Sequence, residues 1–329
     1  MHIVSNQSFF SLKLTHMNSE NIEDNIFQTI NNKIDEMFEN SDVVDDFFIP
    51  TYIPHNNLKK ILVISGGGIK GISFLGALHG LLEANILQNI ETYAGSSIGA
   101  LLCFLLNIGY TPLELFEFVK KFDLNKLKSF SIKLFFENYG LDNGDKIMKV
   151  LAKFMISKDI KSDITLLELF NKTNKSLIIT AVNINNQNVE YLSHTTYPEL
   201  SVIQAIRMSI SIPFVFTPIQ FNKCFYVDGG CIDNFPLHQF IGNEDKIIGI
   251  YATEEIQNNK DINSLDEYAI QVIYSIVTGI TSMSIQNFSN SIIQIKIKTL
   301  NVIDFNITNE KKNDLFNSGY KAAYDFLLK

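Results

Sequence analysis

Gly95-Ser96-Ser97-Ile98-Gly99 has the form G-x-S-x-G, with Ser97 at its centre and a strand-like segment before it and an apolar helical run after it. That setting fits a nucleophile elbow, a sharp turn that exposes a serine Oγ at a helix N-terminus, where the helix dipole favours an alkoxide. The glycines two residues to either side, Gly95 and Gly99, let a strained turn pass close to neighbouring backbone. Ser96 lacks that flanking spacing, so Ser97 is the candidate nucleophile. A Gly/Ser turn ahead of a helix is also an ordinary cap, and the five residues alone leave that reading open.

A serine hydroxyl needs a neighbouring base. Asp228 in "YVDGG" ends a buried-type strand and enters two glycines, a position where open α/β sheets gather ligand sites, although an Asp-Gly turn is also common as mere connection. None of the six histidines sits in a comparable setting. His238 in "FPLHQF" completes a possible Ser97, Asp228, His238 order, yet it reads more readily as a structural residue. A third stretch, "SGGGIKG", exposes backbone amides where a strand turns into a helix. Gly66, Gly68 and Gly71 match G-x-G-x-x-G, so the loop suits either a dinucleotide pyrophosphate or the oxyanion of a reacting carbonyl. A dinucleotide fold wants an acid at the end of the next strand, whereas Glu91 stands at its beginning.

Taken in order, "SGGGIKG", "GSSIG" and "YVDGG" resemble the motifs of the patatin-like phospholipase family. The likeness extends over residues 60–240, with "RMSISIPFVFTPI", "DNFP" and a closing helix "FNITNEKKNDLFNSGYKAAYDFL" also similar. The resemblance implies a three-layer α/β/α fold around a central, mostly parallel sheet. It implies a phospholipase A-type lipid acyl hydrolase in which Ser97 attacks the ester carbonyl and Asp228 is the general base. The amides of Gly66, Gly67 and Gly68 then form the oxyanion hole. Lys70 stands where the family often has Arg, and is expected to stabilise an anionic intermediate or a lipid phosphate. The substrate implied is a glycerophospholipid or another lipid ester. Two other readings stay open, an α/β-hydrolase triad through His238 and a catalytically inactive lipid-binding protein.

The elements that must position these residues follow from periodicity. From residue 58 onward, short apolar runs alternate with helical patterns, the mark of βαβ units. "ILVIS" and "KIIGIYA" read as buried strands and "IIQIKIKT" as an alternating one. "SLIITAVNINNQNVEYLSH" reads as a hairpin, and Thr111, Pro112 and Glu114 as a capped helix start. Residues 58–329 are expected to form one domain, and residues 1–57 a polar extension with one amphipathic segment at 25–40.

A formal net charge of -8 argues against a nucleic-acid partner. Cys103, Cys224 and Cys231 make no disulfide framework, which fits a reducing compartment. With no signal-peptide pattern and no apolar run of spanning length, a cytoplasmic protein that meets membranes peripherally is expected. No metal-ligand cluster or cofactor motif is visible, so neither metal nor cofactor is expected. Residues 120–139 carry five lysines together with Phe122, Phe130, Phe135 and Phe136. They form either a flap for an anionic membrane surface or an amphipathic segment with Phe inward. Nothing in the sequence fixes the oligomeric state.

Overall fold

Ile61–Ile64 is an unbroken apolar run because it becomes a strand buried along its whole length between two parallel neighbours. A computed structural model describes residues 59–255, 262, 265–286, 288–298 and 306–328. All of them fall within one unit, Val44–Lys329. The expected extension at 1–57 and its helix lie outside the described residues.

The first half of the chain gives β1 (Ile61–Ile64), α1 (Gly71–Glu83), β2 (Thr92–Ser96), α2 (Ile98–Asn107), α3 (Pro112–Lys121), α4 (Ile132–Asn138), β3 (Gly140–Asp142) and α5 (Asp145–Ser157). After these come α6 (Leu166–Thr173), β4 (Ser176–Asn183), β5 (Asn188–Leu192), α7 (Val202–Ser209), β6 (Phe214–Phe216), β7 (Ile219–Phe221) and β8 (Cys224–Asp228). β9 (Ile247–Glu254), α8 (Leu265–Ser284), β10 (Ile292–Ile297) and α9 (Asn309–Leu327) close the fold.

The main sheet has the order β10-β9-β1-β2-β4-β8-β7, with β5 also paired to β4. β10, β9, β1, β2 and β4 are parallel, whereas β5 and β8 join β4 antiparallel and β7 joins β8 antiparallel. The central strand β1 is apolar throughout. The edge strand β10 instead alternates, with Gln294 and Lys296 exposed between buried isoleucines, which discourages further pairing along that edge. Helices flank the sheet. α2 is apolar nearly all round because it is buried nearly all round, and α3 starts on the capping box of Thr111 and Glu114. α1 and α9 pack so closely that a Cβ on Gly76 would lie 1.8 Å from the Phe316 carbonyl oxygen, and one on Gly319 would lie 1.7 Å from that of Ser73. The closing helix is thereby keyed into the fold. Among the described residues, no helix is long and apolar enough to cross a membrane.

One feature of β4 positions the site. Its residues Ser176–Thr180 pair with β2, and Ala181–Asn183 pair with β8. β5 pairs with Ile179–Asn183, overlapping both, so β2 and β8 must share the opposite edge of β4. β2 runs parallel to β4 and ends with Ser96 beside Thr180, while β8 runs antiparallel and ends with Asp228 beside Ala181. Two strands therefore meet end to end, each by its C-terminus, at adjacent residues of a third.

Candidate active site

That meeting point brings Ser97 and Asp228 together. Ser97 follows β2 directly and is the N-cap residue of α2, with φ 54° and ψ −126°, a conformation that residues with side chains rarely adopt. A Cβ on Gly95 would lie 2.6 Å from the Gly99 carbonyl carbon, and one on Gly99 would lie 2.2 Å from the Ile64 carbonyl oxygen. Only glycine fits either place, so the expected elbow spacing is a packing requirement. The Ser97 N–H donates to Ser209 Oγ at 2.9 Å, which holds the turn from the side of α7. Ser96, by contrast, is fully buried and its Oγ lies against the backbone of Gly229.

Asp228 is buried. Its Oδ1 accepts the Gly230 N–H at 2.8 Å, and its own N–H donates to the Ser211 carbonyl at 2.9 Å. Burial raises its pKa from 3.8 to about 6, against the opposing pull of the Ser97 hydroxyl and the Gly230 amide. The hydroxyl is thus close enough to act on the carboxylate, but no well-aligned hydrogen bond reaches Oδ2, which is buried without a partner. Such contacts are often loose before substrate arrives. At neutral pH the group is a carboxylate more basic than an ordinary one, with an acceptor oxygen unoccupied. Beside it, burial and the Asp228 charge push the Cys231 thiol up to about 12, so it is no competing nucleophile.

The glycine loop corrects the expectation for Gly66. Its N–H donates to the Asn234 carbonyl at 3.0 Å, and a Cβ there would lie 2.3 Å from Asn234 Oδ1, so this amide docks the loop and is not available to an oxyanion. The amides of Gly67 and Gly68 have no hydrogen-bond acceptor among the described residues. Gly68 takes φ 55°, and it shares the wall of one cavity with Ser97.

Lys70 also differs from expectation. Its Nζ lies 2.8 Å from Glu254 Oε1 and 4.6 Å from the Tyr274 ring centroid, and the residue is buried. The cation is committed to a carboxylate on β9 and an aromatic face on α8, because a buried ammonium without a counter-charge would be costly. His238 faces elsewhere too: Nε2 bonds the Tyr191 hydroxyl at 2.8 Å and Nδ1 lies 3.4 Å from Asp233 Oδ2. Both ring nitrogens are engaged away from Ser97 and Asp228, so the three-residue order through His238 is not assembled. Glu91 pairs with Lys60 at the opposite end of the sheet from the glycine loop, which removes the dinucleotide arrangement.

Four residues that motif spacing did not single out hold the site. Ser209 and Ser211, in "RMSISIP", anchor Ser97 and Asp228 respectively. Buried Arg207 pins that segment by donating to Ser211 Oγ at 2.5 Å and to the carbonyls of Asn143 and Thr217. Asn234, in "DNFP", joins the glycine loop to α8 through its Nδ2 bond to Thr281 Oγ1 at 3.1 Å. The signal was present as polar residues within apolar blocks.

Ser97 opens on a cavity of about 210 Å³ lined almost wholly by apolar side chains, among them Leu101, Leu105, Leu151, Phe154 and Val215. Of the polar residues on its wall, Asp142 has both oxygens occupied by the N–H groups of Ser129 and Gly144. The cavity suits a flexible hydrocarbon chain. Among the described residues no group of three or more His, Cys, Asp and Glu is arranged to hold a metal ion.

A family model described as patatin-like phospholipase matches residues 62–241, more than half of the 329-residue chain. The probable lipid hydrolase 463L of Invertebrate iridescent virus 6 is 39% identical over 184 residues, covering 54% of this chain and 62% of its own length. The protein R571 of Acanthamoeba polyphaga mimivirus is 29% identical over 294 residues, covering 85% of this chain and 97% of its own. Among solved structures, VipD from Legionella pneumophila superposes with a TM-score of 0.53 at 18% identity, over 82% of this chain and 66% of that one, a likeness of fold. The match therefore spans less than two thirds of both the iridescent virus protein and VipD.

Proposed function

Because the chain belongs to the patatin-like phospholipase family, we propose that it is a phospholipase A-type acyl hydrolase working through Ser97 and Asp228 alone. The observation that carries this reading is the junction on β4, where a strained serine on the wall of an apolar cavity meets a buried, partly unpaired carboxylate. In the first step Ser97 Oγ attacks the ester carbonyl carbon while its proton passes to Asp228. The carbonyl oxygen becomes an oxyanion received by the amides of Gly67 and Gly68, with the N-terminal dipole of α2 adding to the stabilisation. Asp228 then returns the proton to the departing alcohol, leaving an acyl-enzyme. Water deprotonated by Asp228 attacks that ester, and the fatty acid leaves as Ser97 regains its proton.

A carboxylate of pKa about 6 suits this duty better than one near 3.8, since it takes a proton more readily yet remains ionised at pH 7. The cavity supports a long acyl chain as the part of the substrate bound beside Ser97, and a glycerophospholipid supplies such a chain with an alcohol leaving group. Lys70 has no part in this scheme, its charge being held by Glu254.

Mass spectrometry of the products from phosphatidylcholine and phosphatidylglycerol in mixed micelles tests the proposal. Wild type is expected to release fatty acid and lysophospholipid. Ser97→Ala and Asp228→Asn are expected to fall by roughly 10³-fold or more, as for loss of a nucleophile or its base. Equal product from wild type and Ser97→Ala would contradict the proposal.

A further inference from the structure

α4 is a short helix none of whose residues is buried. Ile132 and Phe136 sit one turn apart on its outer side, 73% and 77% exposed. Immediately before it, Phe130 is half exposed and also lines the cavity that holds Ser97. Immediately after it, Tyr139 is exposed with φ 65°, and the β3–β6 pairing sets Gly140 beside Phe214, which is 53% exposed with φ 68°. Ring contacts make the group continuous, with Phe135 meeting both Phe136 and Phe214. Two adjacent aromatic residues thus hold left-handed backbone, where glycine or asparagine would sit with less strain, and present their rings to water. A contiguous exposed patch of this kind marks an interaction surface.

Charge identifies the partner. Residues 120–153 contain eight lysines against four acidic residues, a surplus of +4 within a chain of net charge -8. Lys126 and Lys133 are exposed on the same segment as the aromatic residues. An apolar patch rimmed by lysines matches the surface of an anionic bilayer, where aromatic rings enter the headgroup boundary and ammonium groups meet phosphate. We propose that α4, Phe130, Tyr139 and Phe214 form the face by which this protein docks on an anionic phospholipid membrane, with the cavity mouth at Phe130 turned toward the lipid. The assignment rests on the acyl hydrolase reading for its purpose, and on the patch for its location.

Co-sedimentation with vesicles of phosphatidylcholine alone, or with phosphatidylglycerol added, tests the docking face. Hydrolysis of a soluble short-chain ester and the unfolding midpoint serve as separate readouts. Wild type is expected to sediment with the anionic vesicles and weakly with the neutral ones. Ile132→Ser with Phe136→Ser is expected to weaken vesicle binding about tenfold or more, from the loss of two buried apolar side chains. Phe214→Gly is expected to weaken it too, without lowering the unfolding midpoint, because glycine tolerates its backbone angle. Soluble-ester hydrolysis is expected to change less than about twofold in all of them. Undiminished vesicle binding by these variants overturns the docking face. So does a change of oligomeric state in the variants while vesicle binding persists, which would mark an interface between copies. A wild type that binds anionic vesicles through the patch but cleaves no ester keeps the docking face and overturns the hydrolase reading.

Discussion

The junction of β2, β4 and β8 and the patch around α4 both hold residues in left-handed backbone, but the surroundings are opposite. At the junction, Ser97 is clamped by Ser209, by the missing side chains of Gly95 and Gly99, and by α2 packed behind it. At the patch, Tyr139 and Phe214 carry the same kind of strain with their rings in water. Each such residue costs of order 1–3 kcal/mol. Inside, the cost aims a hydroxyl at a cavity and the packing sustains it. Outside, Tyr139 caps α4 by donating its N–H to the Phe135 carbonyl and sets its ring against Phe225, while the Phe214 ring meets Phe135, so contacts at the surface carry the strain.

Gly99→Ala should break the junction most severely. Its methyl group would collide with the backbone of Ile64, the last residue of β1, and of Ser65 just after it, both buried and unable to give way. A loss of at least about 3 kcal/mol, at the upper end for overpacking, is expected in urea denaturation, together with loss of activity.

Asp228→Asn separates function from stability. The folded-state pKa of Asp228 is raised from 3.8 to about 6, so the native state holds this proton more tightly than the unfolded chain does. The contribution to stability is present below about pH 4 and is lost as pH rises through about 6, a difference of about 3 kcal/mol at 1.36 kcal/mol per unit. The Asn variant should therefore be more stable than wild type at pH 7 to 8, with the gap closing at about pH 4 and below. Activity runs the other way: wild-type kcat/KM should climb with an apparent pKa of about 6 and then level off. Urea titrations across that range check the first statement, and a pH–rate profile checks the second.

Ser97→Gly and Phe214→Gly sharpen the contrast at smaller scale. Each relieves a left-handed residue and should hold or raise stability by up to about 1 kcal/mol. The first should abolish ester hydrolysis, while the second should leave it intact on a soluble substrate. Thermal melts and a chromogenic ester assay on the two variants are sufficient.

The same contrast explains how much was legible in the sequence. β1 and β9 are apolar runs with only one assignment as parallel core strands, β10 alternates, and Thr111 with Glu114 announces α3. Ser97 and Asp228 stood out because glycines beside a polar residue at a strand end are a local signal. Partners brought in from distant segments were not legible. That Gly66 is engaged by Asn234 and Lys70 by Glu254 depends on pairings between remote parts of the chain. The reversed direction of β8, which lets Asp228 arrive beside Ser97, is likewise set by β4 and not by the residues of β8. Residues 120–139 allowed two orientations, and the structure divides them: Phe122 is buried, whereas Phe130 and Phe136 are exposed. Phe214 sits in "SIPFVF", an ordinary strand pattern that gives no hint of a positive φ.

The central claim is that Ser97, activated by Asp228, is the group acylated in turnover. Labelling with a fluorophosphonate that mimics the acyl intermediate, followed by peptide mass spectrometry, tests it most directly. The account predicts one adduct, on Ser97, absent from Ser97→Ala, formed far more slowly in Asp228→Asn, and unaffected by His238→Ala. An adduct on another residue, or labelling that survives Ser97→Ala while fatty acid is still released, would contradict it.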